Sequence, residues 1–455
     1  MSQDKTKSGI NHSASSLGII SQLQQSIEHP QYFPLKIPNA EIADVSNHSN
    51  QQVYMLRNPN LNKYLQIGEQ ELFFWKLFDG KNSIKDLNIE YINQYGELGD
   101  TILQQLLHLL KSNGFLQEPP QPVIQIISQK IHTKTAFEKF ISLISWFFHS
   151  SLTTGHADRF FAWLYKHIGY LLFLKPLIFL FGFLVIFDTI VFIDYFFLRH
   201  ISLLLSKTGV GMHDLALLLT ITYLSLFLHE CAHGLAVKHY DRIVLRAGIL
   251  LYFGQPIAYV DTTDIWMKNK FPRIVVSFAG PALNGILGGI FFLISFFTPD
   301  STPDSILVQA GLINSIFFLV NLLPIVETDG HYIIQDYLEI NRLRPESLAF
   351  IGYKMWKKLY KREKWGKVDF IYLIYGIIAI AGMVVMISVG IHLWYSTVYR
   401  IVIALYHHPE FIINILGLLV LIGIIVLLVH FFLRWKKGLG SIEKKIVSSL
   451  HRKEK

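Results

Sequence analysis

The stretch LSLFLHECAHGLAV, Leu224–Val237, decides how this chain is read. It ends an apolar run that begins near Leu215 and is long enough to cross a hydrocarbon core of about 30 Å. Yet it carries His229, Glu230 and His233, and ionisable groups at membrane depth are costly enough to be functional by default. The two histidines lie about one helical turn apart, so their imidazoles share a face and can grip a single metal ion. Glu230 sits about 100° further round, from where its carboxylate reaches an attacking water more readily than the ion. This HExxH pattern is the arrangement in which zinc binds and a glutamate serves as general base in peptide hydrolysis. Cys231, about 200° from His229, faces away from the pair and reads as a small packing residue.

Outward from this stretch the whole chain is apolar. Of its 455 residues 51% are hydrophobic and only 16% charged, with a mean hydropathy of +0.37, which excludes an ordinary soluble protein. Runs near Leu171–Leu198, Leu215–Val237, Ile274–Phe297, Ile306–Ile325, Phe370–Trp394 and Phe411–Phe432 approach or exceed membrane-spanning length. The predicted fold class is mainly α: a polytopic membrane protein of about six transmembrane helices with a small N-terminal winged-helix-like α+β domain. The net charge of +8 needs no nucleic-acid partner, because the basic residues crowd the loops on one side. Those loops carry Lys238, Arg242, Arg246, Lys268, Lys270, RLRPE, KMWKKLYKREKWGK and RWKKGLGSIEKK, against Arg199, Lys207 and Arg400 on the other side. The asymmetry predicts a multi-pass protein of the cell membrane, embedded in a lipid bilayer, with both termini cytoplasmic. A single cysteine excludes an intrachain disulfide.

Residues 1–30, polar and rich in Ser, Gln and Asn, read as a disordered tail. Residues 31–122 read as a folded domain, with strands in VYMLRN and KYLQI followed by helices in EQELFFWKLFD, SIKDLNIEYINQY and DTILQQLLHLLKSNGFL. Gly80, Gly96 and Gly114 are the stop signals. Residues 123–166 read as a linker with a candidate interfacial helix in FISLISWFFHS, 167–435 as the membrane-embedded domain and 436–455 as a basic cytoplasmic tail. Between the second and third spans, AGILLYFGQPIAYVDTTDIW has a strand-turn-strand pattern. It reads either as an edge that receives an extended peptide or as a plain structural hairpin. Asp261 and Asp264 within it read as turn or capping groups. Asp188 and Asp194 fall towards the outer end of the first span and form no continuous polar path, which argues against a metal transporter.

A catalytic zinc keeps three protein ligands and one open position, so a third ligand is required. His239, Asp261, Asp264, Glu327, Asp329 and His331 are candidates, and the best-placed segment is NLLPIVETDGHY, Asn321–Tyr332. Pro324 breaks the helix there, freeing the Val320 carbonyl, to which Asn321 offers a partner. The permissive Gly330 then lets Asp329 turn back. Unbroken, a helix from Ser305 carries Asp329 roughly 36 Å, beyond a core of about 30 Å.

HECAHGLAVKHY, SFAGPALN and NLLPIVETDG together resemble the three signatures of the site-2 protease family of membrane-embedded zinc metalloproteases. LLYFGQPIAYVDTTDIW and DGHYIIQDYLEINRLRPESL are similar to its bacterial peptide zinc metalloprotease branch. The resemblance implies Zn2+ held by His229, His233 and Asp329, Glu230 as general base and acid, and Asn321 and Asn284 as polar helpers near the substrate or oxyanion. His331 and Glu327 depart from the branch, which has Tyr and an apolar residue there. The hairpin and three helices ending in LLKSNGFLQ resemble PqqD-like winged-helix domains, which bind leader peptides in peptide-modification systems. These resemblances imply a metalloendopeptidase acting on a small peptide, a leader peptide or a membrane-associated precursor, alongside a peptide-export or peptide-modification system. The competing reading is a non-catalytic membrane partner in peptide maturation or export, a role that has no need of Glu230.

Overall fold

The structure is a computed structural model that describes residues 32–45, 52–117, 151–200, 212–252, 255–298, 305–324, 328–340 and 342–393. The expected 1–30 tail, the FISLISWFFHS helix, the sixth span and the 436–455 tail lie outside these residues. The chain divides into two units, residues 1–343 and 344–455.

The first unit begins with an antiparallel sheet in the order β1 (Glu41–Asp44), β2 (Val53–Asn58), β3 (Lys63–Gly68), followed by α1 (Glu69–Leu77), α2 (Ile84–Tyr95) and α3 (Asp100–Ser112). Local sequence explains the helix ends. Ser83 and Asp86 form a reciprocal capping box at the start of α2, and Gly80, Gly96 and Gly114 all adopt positive φ where helices must stop. One face of the sheet, with Leu56 and Ile67, packs on Phe74, Trp75, Leu103 and Leu106 of the helices.

Residues on the opposite face explain why β2 is buried on both sides. Glu41 and Arg57 are register partners, as are Arg57 and Tyr64, so these three side chains form one row across the sheet. The row meets Asp264, which is 1% exposed: the Tyr64 hydroxyl donates to its carboxylate at 2.6 Å, and Arg57 Nε lies 3.2 Å away. Arg242 completes the node with bonds of 2.8 and 3.0 Å. Asp264 is therefore the clamp between the N-terminal sheet and the membrane-adjacent segment, not the turn or capping group expected from sequence.

A second antiparallel sheet has the order β4 (Ser151–Thr154), β5 (Ala247–Tyr252), β6 (Gln255–Val260). The hairpin was legible; β4 and the following α4 (Ala157–His167) fall largely within the stretch read as a linker, 123–166. Asp158 at the start of α4 binds Lys238 and the Val244 amide, and Phe161 seats against Gly234. This anchors α4 directly behind the HExxH turn.

The apolar runs form α5 (Lys175–Phe192), which continues in a wider turn to Leu198, then α6 (Met212–His239), α7 (Lys270–Phe297) and α8 (Ile306–Leu322). The short α9 (Asp329–Leu338) follows. In the second unit, α10 (Leu343–Ala349) and α11 (Met355–Tyr360) precede α12 (Lys367–Leu393), with Lys358 bonded to Asp369 at 2.7 Å. The first five predicted runs are thus helices. Among the described residues four are long and apolar enough to cross a membrane: Lys175–Leu198, Ala216–His239, Lys270–Phe297 and Lys367–Val385. Helix α8 has 17 residues and spans roughly 25 Å, short of a core of about 30 Å. Its chain therefore turns before clearing the apolar layer.

Burial alone raises the Asp264 carboxyl, but the bonds from Arg242, Tyr64 and the Ile243 amide outweigh it and hold the group below its ordinary value of 3.8. The docking contribution is therefore complete above that value and is lost as pH falls through the lower folded value. Asp264→Ala leaves Arg57 and Arg242 with only the more exposed Glu41 as a shared partner and should weaken docking by about 1.5–3 kcal/mol. The expected result in the full chain is faster hydrogen exchange in β2 and β3, with exchange in α7 unchanged.

Candidate metal centre

Helix α6 presents His229 and His233 from successive turns, and both are buried. Their Nε2 atoms are 3.1 Å apart, and Asp329 at the first position of α9 reaches them at 3.3 and 3.4 Å. Among the described residues these are the three grouped closely enough to hold an ion. Ligand atoms on a tetrahedral zinc with bonds of about 2.0–2.1 Å lie about 3.3 Å from one another, so the spacing fits.

Hydrogen bonding on the far side of each ring gives a stronger test. His233 Nδ1 lies 2.7 Å from the Val276 carbonyl, which only accepts, so Nδ1 carries the proton. His229 is fixed by a longer chain. The Ala310 carbonyl accepts from Asn314 Nδ2 at 2.9 Å, which turns Asn314 Oδ1 towards Asn284 Nδ2 at 3.1 Å. Asn284 Oδ1 is left to accept from His229 Nδ1 at 2.5 Å. In their neutral forms both histidines then direct bare Nε2 lone pairs at each other and at a carboxylate. That arrangement is repulsive alone and satisfied by a cation.

Backbone shape completes the cradle. A Cβ at Gly280 of α7 would fall 2.3 Å from His233 Nε2 and 2.5 Å from His229 Nε2, so only glycine leaves these atoms free. At Gly330 a Cβ would lie 2.1 Å from the Leu322 carbonyl, so the turn after Asp329 needs glycine for a close approach to the end of α8. The opposite end of α9 is held to α7 by Glu339–Lys270 at 2.5 Å and Asp336–Arg273 at 3.5 Å.

Glu230 is turned away from the ligand atoms, and its carboxylate accepts from the Val260 amide on β6 at 3.0 Å. A cavity of about 300 Å³ opens onto Glu230, His233 and Asp329 and is walled by Trp266, Arg273 and Asp336.

The sequence-predicted residues separate clearly. His229, His233 and Asp329 converge, Glu230 lines the cavity they open onto, and Asn284 bonds to the far side of the His229 ring. Asn321 is half-buried on the last turn of α8, and none of the hydrogen bonds around the three ligands is its own. Nor does it cap the broken helix: the carbonyl of Val320 accepts from the Leu323 amide at 3.3 Å. The other candidate ligands lie elsewhere. His239 binds the Tyr165 hydroxyl and stacks on Phe173, Asp261 caps Thr263, and His331 is buried beside Tyr332. Glu327 lies outside the described residues. Sequence reading missed Asn314, whose only signal is an amide inside the apolar run LINSIFF. Nor did it foresee that Asp188, in the second half of α5, is fully buried and accepts from Ser315 at 2.7 Å.

No family model matches the chain, and no solved structure matches it. Over 152 residues the chain is 26% identical to the Bacillus subtilis (strain 168) protein named "Putative peptide zinc metalloprotease protein YydH". The match covers 32% of this chain and spans 59% of the length of that relative. It is a distant likeness to a protein named as a metalloprotease.

Removing an outer-layer partner of a metal-bound histidine typically costs 10–100-fold in affinity. Asn284→Ala is expected to lose about that much, and Asn314→Leu should act in the same direction through Asn284. Gly280→Ala places a methyl group against both Nε2 atoms and should abolish binding. Competitive zinc titration of the three purified variants, with circular dichroism confirming their helix content, checks all three.

Proposed function

We propose that the protein is a membrane-embedded zinc metalloendopeptidase of the site-2 protease type, cutting a peptide bond in a small peptide, leader peptide or membrane-associated precursor. The observation that carries this reading is the convergence of two bare Nε2 atoms and the Asp329 carboxylate beside an independent carboxylate, Glu230. The sequence likeness to a named peptide zinc metalloprotease supports it.

His229, His233 and Asp329 would hold the zinc. When bound, zinc supplies Lewis acidity and lowers the pKa of water at the site to about 7. Glu230 takes the proton of the attacking water and delivers it to the leaving amine. The remaining residues orient and exclude. Asn284 and the Val276 carbonyl fix the histidine tautomers, and Asn314 fixes Asn284. Burial of the two histidines in the helix bundle limits solvent to the side that carries the cavity.

An extended substrate is needed, because a helix keeps its carbonyls bonded internally. The free edge of β6 offers a template, since the Asp261 amide bonds across to Arg246 while the Val260 amide points the other way, to Glu230. A peptide strand laid along that edge competes with Glu230 for the Val260 amide and so releases the carboxylate for proton transfer. The basic loops support placing both termini in the cytoplasm. The PqqD-like resemblance of residues 31–122 supports a ribosomally made peptide with a leader as substrate, delivered by a peptide-export or peptide-modification system.

Glu230→Gln removes the base without touching the ligands. Its expected signature is unchanged zinc stoichiometry with turnover of peptides encoded beside this gene reduced by about 10²–10⁴. A His229→Ala, His233→Ala double variant should lose the metal itself. Wild-type turnover by Glu230→Gln refutes the assignment of the base, and full zinc content in the double variant refutes that of the ligands.

A further inference from the structure

Glu230 and Val260 line two cavities at once, and the second differs in character from the first. It measures about 380 Å³ and lies between the underside of the β5–β6 hairpin and the helices α4 and α6. Phe160, Phe161, Phe227 and Cys231 form its floor. Its roof follows from strand register: Ala258 pairs with Ile249 and Val260 with Ala247, so these four side chains share one face of the sheet, and all four line the cavity. The first cavity instead carries Asp261, Thr263, Arg273, Gln335 and Asp336. An apolar chamber and a polar one therefore meet at the Glu230–Val260 hydrogen bond.

Building on the peptidase reading, we infer that the apolar chamber is a specificity subsite for a large aliphatic or aromatic side chain next to the scissile bond, while the polar chamber receives the polar residues across that bond. Alternation along a strand makes this geometric. A peptide added to the edge of β6 sends every second side chain to the face that carries Ala258 and Val260, which roofs the chamber and meets the polar cavity at Val260. Burying a Leu or Phe side chain there removes its apolar surface from water, whereas a Gln or Ser side chain finds almost no polar partner in the lining. The substrate class is thus a peptide with an apolar-to-polar junction at the cleaved bond.

The test uses zinc-loaded full-length protein in detergent micelles and ten-residue peptides of Ser, Gln and Gly that carry one central Leu, Phe, Trp, Ala or Gln. The wild type should cleave beside Leu or Phe with kcat/KM at least tenfold above Ala or Gln. Ala258→Phe fills the chamber from its roof and should collapse the Leu-to-Ala ratio towards one. Phe227→Ala, at a half-exposed position, enlarges the floor and should move the preference to Trp, so the inference is tested even where Ala258→Phe fails to fold. Equal cleavage of all five peptides by the wild type, or an unchanged Leu-to-Ala ratio in Ala258→Phe together with no gain for Trp in Phe227→Ala, overturns the subsite alone. No cleavage of any peptide by zinc-loaded wild type overturns the peptidase reading with it.

Discussion

Two backbone carbonyls, those of Val276 and Ala310, decide where the Nε2 atoms of His229 and His233 point. Val276 acts directly on His233, whereas Ala310 acts on His229 through two asparagine side chains on two helices. A carbonyl has no choice of role, so the direction of every donor in the chain is settled from its far end. Inside an apolar bundle this matters more than on a surface, because a reversed amide would leave a donor or an acceptor unsatisfied with no water to relieve it. The surrounding helices thereby become part of the site: α7 carries Val276, Gly280 and Asn284, and α8 carries Ala310 and Asn314.

The position of Asp329 depends on an interruption. Helix α8 is too short to cross the apolar layer, and the chain turns at Pro324 and restarts as α9 with Asp329 at its first residue. Irregular backbone at this depth is tolerated only where its groups are answered, and here the answer is local. The Leu323 amide takes the Val320 carbonyl, and the Thr328 hydroxyl donates to the Leu323 carbonyl at 2.7 Å. Ion pairs from Lys270 and Arg273 to the other end of α9 then hold the aspartate in place.

Much of this was legible in the sequence, and the parts that were not have physical reasons. The i, i+4 histidines, the Pro324 break and the glycine stop signals are local, and local spacing predicts them. The strand β4 is four residues long and exposed, so it carries no alternation and exists only through pairing with β5, nearly a hundred positions away. The bond between Asn284 and His229 was not legible, because a motif gives proximity to a site without saying which atom it touches. Asn321 was assigned to the freed carbonyl because sequence cannot show that a backbone amide gets there first. Asp264 looked like a turn residue because its partners, Arg57 and Tyr64, lie some two hundred positions upstream.

That same aspartate changes which surface of the N-terminal sheet is open to a partner. The row Glu41–Arg57–Tyr64 is occupied in the intact chain, yet it is exposed in a fragment that ends before the membrane helices. An acidic ligand that competed for this row would meet it open in such a fragment. In the whole protein it would first have to displace Asp264, and its apparent affinity would be scaled down to the fraction of molecules in which the clamp is open. Only three residues of chain separate Asp264, which holds the N-terminal sheet, from Val260, which holds Glu230.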